Sequence, residues 1–139
     1  MTLPIITALT ASMLLPLQLV LMLSTGLHRG QAKIGVGVGD DRHLERKMRR
    51  HGNLSENSAI FLITLGLAEL LGAPQFVLFW VAVVFVVARL LHALAFTSLD
   101  GSHNVSGNPI FLGMRFIGAM GTLASGLVAS GAIVYTIVN

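Results

Sequence analysis

Four apolar stretches alternate with short polar connections along the chain. They cover residues 3–27, a segment ending at Gly72, residues 74–98 and residues 109–138. Each can supply the roughly 20 residues a helix needs to cross a hydrocarbon core about 30 Å thick. The pattern therefore predicts four membrane-spanning helices, the first interrupted by Pro16 and Gln18. Only residues 72–75 separate the second from the third, so these two form a tight antiparallel hairpin. Asn108 followed by Pro109 marks the start of the fourth, as cap and first helical position. The segment IGVGVGDD, 34–41, has the glycine content of a phosphate cradle. It follows no strand, however, and so reads as a flexible loop. Asp40 or Asp41 then caps the second helix, with Glu45 in its first turns.

The second helix breaks the pattern. Its apolar run from Ser58 to Gly72 is only about 22 Å long at 1.5 Å per residue. Filling the membrane requires starting near Asn53, which brings Asn53, Glu56 and Asn57 to or below headgroup depth. An ionised side chain at a helix centre costs on the order of 2.5–3.5 kcal/mol to insert, and less near the boundary. Such residues face a protein interior or a wet cavity and mark a site. Arg46, Arg49, Asn53 and Glu56 step by three, four and three, so they share one helix face. His51 falls nearly opposite, where packing or capping suffices.

Two later helices add to the same layer. Arg89, His92 and Phe96 line one face of the third, and Arg115 lies about two turns inside the fourth. Arg89 requires a partner, and Glu56 matches it in depth. The plainer readings are an Arg89–Glu56 structural pair, a packed His92, and Arg46, Lys47 and Arg50 as lipid-phosphate anchors. Glu69 lies near the opposite end, where an interfacial position accounts for it. In the fourth helix Gly118, Thr122, Gly126 and Ser130 recur every four residues, beside Gly121, Ser125 and Ala129. Small residues allow close helix packing, here with a contribution to oligomer assembly. A unit this small does not readily enclose a polar pocket, which places the site between subunits.

Composition and charge sharpen this picture. The 139 residues are 54% hydrophobic and 11% charged, with mean hydropathy +0.80. Soluble domains carry about 25% charged residues, so the chain reads as one integral membrane domain, 1–139. The pI near 10.2 does not imply nucleic acid, because seven of the nine Lys and Arg cluster between Arg29 and Arg50. That cluster is an orientation signal. It places the first loop and the 97–108 loop in the cytoplasm and both termini outside. Sequons at Asn53 and Asn104 fall on that cytoplasmic side and are discounted. Residues 3–27 lack the basic start and short apolar core of a signal peptide. The absence of cysteine removes disulfides, thiolate metal sites and a cysteine nucleophile.

The polar residues resemble those of the MAPEG family, membrane-associated proteins in eicosanoid and glutathione metabolism. The family pattern Arg-x-x-x-Asn-x-x-Glu is present as Arg49, Asn53 and Glu56. The flanking Glu45, Arg46, His51, Asn57 and Ile60-Phe61-Leu62 resemble the microsomal glutathione transferase branch, in a bacterial-type member. The pattern Arg-x-x-His-x-x-Ala-Tyr appears as Arg89, His92, Ala95 and Phe96, with phenylalanine in place of tyrosine. The resemblance covers nearly the whole chain. It implies an all-α four-helix membrane bundle assembled as a homotrimer, with glutathione bound as cosubstrate between subunits on the cytoplasmic side. Arg49, Asn53 and Glu56 would hold glutathione, with Arg29, Arg89 and His92 as further contacts. Arg115 is the candidate for the catalytic cation beside the thiol, with His103 the other nearby basic group. The implied activity is conjugation to an apolar electrophile or reduction of a lipid hydroperoxide, in the bacterial inner membrane. A non-catalytic glutathione- or lipid-binding protein on the same fold is the second reading. A small transporter is the third, but polar residues in the outer half are sparse.

Overall fold

The computed structural model describes residues 3–102 and 108–139. His103 and the Asn104 sequon lie outside the described residues. The elements are α1 (Ile5–Ala32), α2 (Arg42–Leu70), α3 (Gln75–Ala95), a single helical turn α4 (Leu99–Ser102) and α5 (Pro109–Val138). No strand occurs among the described residues. The four long helices are those the hydrophobic pattern predicts, and the chain is an all-α membrane bundle.

α1, α3 and α5 are long and apolar enough to cross a membrane. α2 has 29 residues, about 43 Å at 1.5 Å each, and does not qualify on composition, because its first half carries the charge. The structure moves two of the expected boundaries. α1 continues from residue 27 to Ala32, which carries His28 and Arg29 beyond the apolar run. It closes on Lys33 in a left-handed conformation, whose N–H reaches the carbonyl of Gly30. α3 stops at Ala95 instead of 98, with Phe96 as its C-cap.

Local chemistry explains the other ends. Asp41, not Asp40, caps α2: its carboxylate accepts from the N–H groups of His43 and Leu44, each at 2.9 Å. Asn108 accepts from the Ile110 N–H at 2.9 Å, with Pro109 at the first position of α5. The α2–α3 hairpin closes through Gly72 at φ +86°. Gly72 N–H donates to Glu69 O and Ala73 N–H to Ala68 O, the paired bonds of a Schellman end that favours glycine.

The core lies where α2, α3 and α5 meet, with α1 packed mainly on α2. Phe61 and Phe85 stack with ring centroids 3.7 Å apart. Leu54, Leu65, Leu78 and Ala129 are buried around them. α3 and α5 make the most extensive contact, and two glycines allow it. A Cβ on Gly118 would sit 2.8 Å from Ala88 O and 2.9 Å from His92 Cβ, and one on Gly121 would sit 2.9 Å from Ala88 Cβ. The small residues of α5 therefore divide between two environments. Gly118, Ser125 and Ala129 are buried against the chain's own core, whereas a Cβ on Gly126 would meet nothing within 4 Å and Ser130 is exposed. Large apolar side chains such as Leu9, Met13, Phe76 and Leu127 point outward, as a lipid-facing surface requires.

Glu69 corrects the interfacial reading. It is completely buried and accepts from Ile6 N–H at 2.9 Å, Thr7 N–H at 2.7 Å and Thr7 Oγ1 at 2.7 Å. α1 starts after Pro4 without a side-chain cap of its own. The carboxylate at the far end of α2 satisfies those first N–H groups and favours the positive end of the α1 dipole.

Candidate functional site

Three turns of α2 present the polar face. Its neighbours are the end of α3, α4 and the start of α5, and the site is built outward from Asn53. Arg89, on α3, is 2% exposed. Its Nη1 donates to Asn53 Oδ1 at 2.7 Å, while Nη2 donates to Gly118 O at 3.0 Å and to Thr122 Oγ1. One guanidinium thus ties α2, α3 and α5 together. The expected Arg89–Glu56 pair does not form. Glu56 is exposed, whereas the Arg89 guanidinium is buried against Asn53 and the Gly118 carbonyl. No carboxylate lies within ion-pair distance of Arg89 among the described residues, and its Nε has no partner.

Three recesses share Asn53. The largest, about 430 Å³, is lined by Glu45, Arg46, Arg49, Asn53, His92, Phe96, Ser102 and Arg115. Another, about 410 Å³, opens beside it between Val38, Glu45, Met48, Arg49, Gly52, Asn53 and Glu56. A smaller one of about 240 Å³ reaches Asn57, Arg89, His92 and Thr122. The predicted Arg49, Asn53, His92 and Arg115 meet in the first, Arg49, Asn53 and Glu56 in the second, and Asn53, Arg89 and His92 in the third. Three arginines against one glutamate make the largest recess cationic.

Individual partners separate the roles. Arg46 donates to Phe96 O at 2.8 Å and to Thr97 O, so it caps the end of α3. Arg49 stays exposed, its Nε 3.7 Å from Glu45 Oε1, and among the described residues its fork remains available to a ligand. Phe96 stacks on the His92 ring, centroids 4.8 Å apart, and the Arg115 guanidinium lies 5.3 Å from the Phe96 centroid. Arg115 also donates to Ser102 O at 3.3 Å. Arg29 donates to Ile34 O at 3.3 Å, Gly35 O at 3.1 Å and Met48 Sδ at 2.8 Å. It fastens the loop that borders the second recess. His28 Nε2 lies 2.8 Å from Asp41 Oδ2 and closes the other end of that loop. Hydrogen bonds from the Leu44 N–H and His28 hold the Asp41 carboxyl below its ordinary value.

The sequence model of the MAPEG family matches residues 7–135. The chain belongs to the MAPEG family. A search of curated proteins finds no match. Family membership and three span-capable helices together make the chain an integral membrane protein. MAPEG proteins act in glutathione and eicosanoid metabolism, and in general they use glutathione as substrate or cofactor. Thr122, the Gly118 carbonyl, Glu69 and the His28–Asp41 pair escaped the sequence reading. For Thr122 the four-residue repeat with Gly118 was visible, but it signalled packing only. For Glu69 the position near the far end of its helix indicates an interfacial role, and nothing local points to Thr7, 62 residues away.

Proposed function

We propose that this MAPEG protein is a membrane-bound, glutathione-dependent transferase or peroxidase of the microsomal glutathione transferase type. The observation that carries the reading is the donor set around Asn53. Glutathione has two carboxylates and one ammonium. The free Arg49 fork suits a carboxylate, Asn53 adds a hydrogen bond, and Glu56 across the adjoining recess suits the ammonium. Arg115 and the Phe96 ring form the wall where a thiol would lie, and a nearby cation lowers a thiol's pKa from about 8.5. Glutathione supplies the thiolate that forms a thioether with an apolar electrophile, or two glutathiones reduce a lipid hydroperoxide to its alcohol and water and leave as the disulfide. The recesses open at the surface of the single chain, which supports a homotrimer whose neighbouring subunit completes the site. The basic cluster supports a cytoplasmic-side location in a bacterial inner membrane, with both termini periplasmic.

Phe96 favours a second reading, a glutathione- or lipid-binding protein without turnover. Its ring carries no hydroxyl where the family pattern has a phenol. Glutathione titration of the detergent-solubilised protein, beside Arg49→Ala and Glu56→Ala, tests the site. The expected outcome is a thiolate absorbance near neutral pH for the wild type and about tenfold or greater loss of affinity in each variant. Variants that bind like the wild type overturn the assignment. Binding without turnover of electrophile or hydroperoxide selects the second reading.

A further inference from the structure

Asn53 is the one side chain common to all three recesses, and its amide has two chemically different ends. Arg89 decides which end faces where. A guanidinium has donors only, so the group 2.7 Å from Arg89 Nη1 must be the Asn53 carbonyl oxygen. The Nδ2 end is left without a protein partner among the described residues. Asn57 illustrates the contrast, since its Nδ2 is tied to Asn53 O at 2.8 Å.

We infer that Arg89 is a positioning residue: it locks the Asn53 amide so that the NH2 end points to the ligand, making that face of the site donor-only. The inference rests on the glutathione reading above. Arg89 itself is not arranged to grasp a ligand. Nη1 and Nη2 are engaged by acceptors on α2 and α5, and the side chain is 2% exposed. Its burial without a carboxylate also accounts for an asparagine at this position. An aspartate would pair with Arg89 directly, but it would present a negative oxygen to the ligand in place of two N–H donors. Arg49 and the locked amide then recognise anionic or carbonyl oxygens, and the exposed Glu56 meets a cationic group.

The test separates stability from recognition, using Asn53→Asp and Asn53→Leu in the full chain in detergent. Thermal unfolding without ligand reads the Arg89 contact. Asn53→Asp is expected to melt at or above the wild type, because it gives a buried cation its missing counter-charge. Asn53→Leu is expected to melt lower, because it leaves Arg89 Nη1 without an acceptor. Glutathione affinity reads the orientation, and Asn53→Asp is expected to bind about tenfold more weakly or worse. A purely structural role for the Arg89–Asn53 bond would preserve binding wherever it preserves stability. Asn53→Asp melting as low as Asn53→Leu overturns the inference, and so does Asn53→Asp binding glutathione as well as the wild type. If the wild type binds no glutathione, the glutathione reading falls, and the melting comparison still decides whether Arg89 holds the amide.

Discussion

Arg46, Arg49 and Arg50 look alike in the sequence, yet their surroundings give them different tasks. Arg46 turns to the carbonyls that end α3, where a cation satisfies orphan acceptors and the negative end of the helix dipole. Arg49 keeps its fork free beside the recess. Arg50 is half-buried, with its Nε unpartnered. Asp41 is a residue whose role is testable by pH. It caps α2 and meets His28, and these bonds hold its carboxyl below the ordinary aspartate value in the folded chain. A depressed carboxyl contributes stability above its unfolded pKa, and that contribution disappears as pH falls through the folded value. Asp41→Ala should therefore melt below the wild type at neutral pH. The gap should narrow once pH drops below about 3.8, as read by thermal unfolding across a pH series. A gap that widens in acid refutes this account of the cap.

At the scale of elements, the decisive contact is between α3 and α5. Gly118 allows its carbonyl to reach Arg89, and the absence of a Cβ allows the helices to approach. A methyl at Gly118 would press on the backbone of Ala88 and His92, which cannot rotate away as a long side chain could. Gly118→Ala should cost about 1–3 kcal/mol and weaken the Arg89 tie. Gly126→Ala, four residues from Thr122, meets open space and should be neutral or gain up to about 1 kcal/mol from helix propensity. Thermal or denaturant unfolding of the two variants side by side provides the check. An equal loss at Gly126 would place a second copy of the chain on that strip. Glu69 joins α1 to α2 by another route, a side chain acting as the cap of a distant helix. Repetition every four residues predicted close packing for α5, but could not distinguish the strip facing α3 from the one facing outward.

For the molecule as a whole, the basic cluster and the polar layer lie on one side of the apolar band, and Glu69 lies at the opposite end of α2. The lack of native cysteine makes the proposed orientation directly measurable. A single cysteine at Val36, which is 95% exposed, should resist an impermeant maleimide added to intact cells and react in inverted vesicles. One at Tyr135 should show the opposite labelling. Val36→Cys labelling from outside intact cells would reverse the topology and move the site to the other face. The same asymmetry gives the proposed enzyme its geometry, with polar glutathione arriving from water and the apolar partner from the bilayer.

Hydrophobic run length, capping residues and turn glycines are local properties, and by themselves they determined the four long helices, the tight hairpin and the cap at Asn108, and narrowed the cap of α2 to Asp40 or Asp41. Spacing also determined that Arg49, Asn53 and Glu56 share one side of α2. Only the tertiary structure decided which of them meets Arg89. Helical periodicity fixes angles around one axis, whereas partners on different helices depend on the rotation and approach of each helix, which the contact at Gly118 and Gly121 sets. That is why Arg89 holds Asn53 in place of Glu56, and why a glutamate expected at an interface is buried beneath the start of α1.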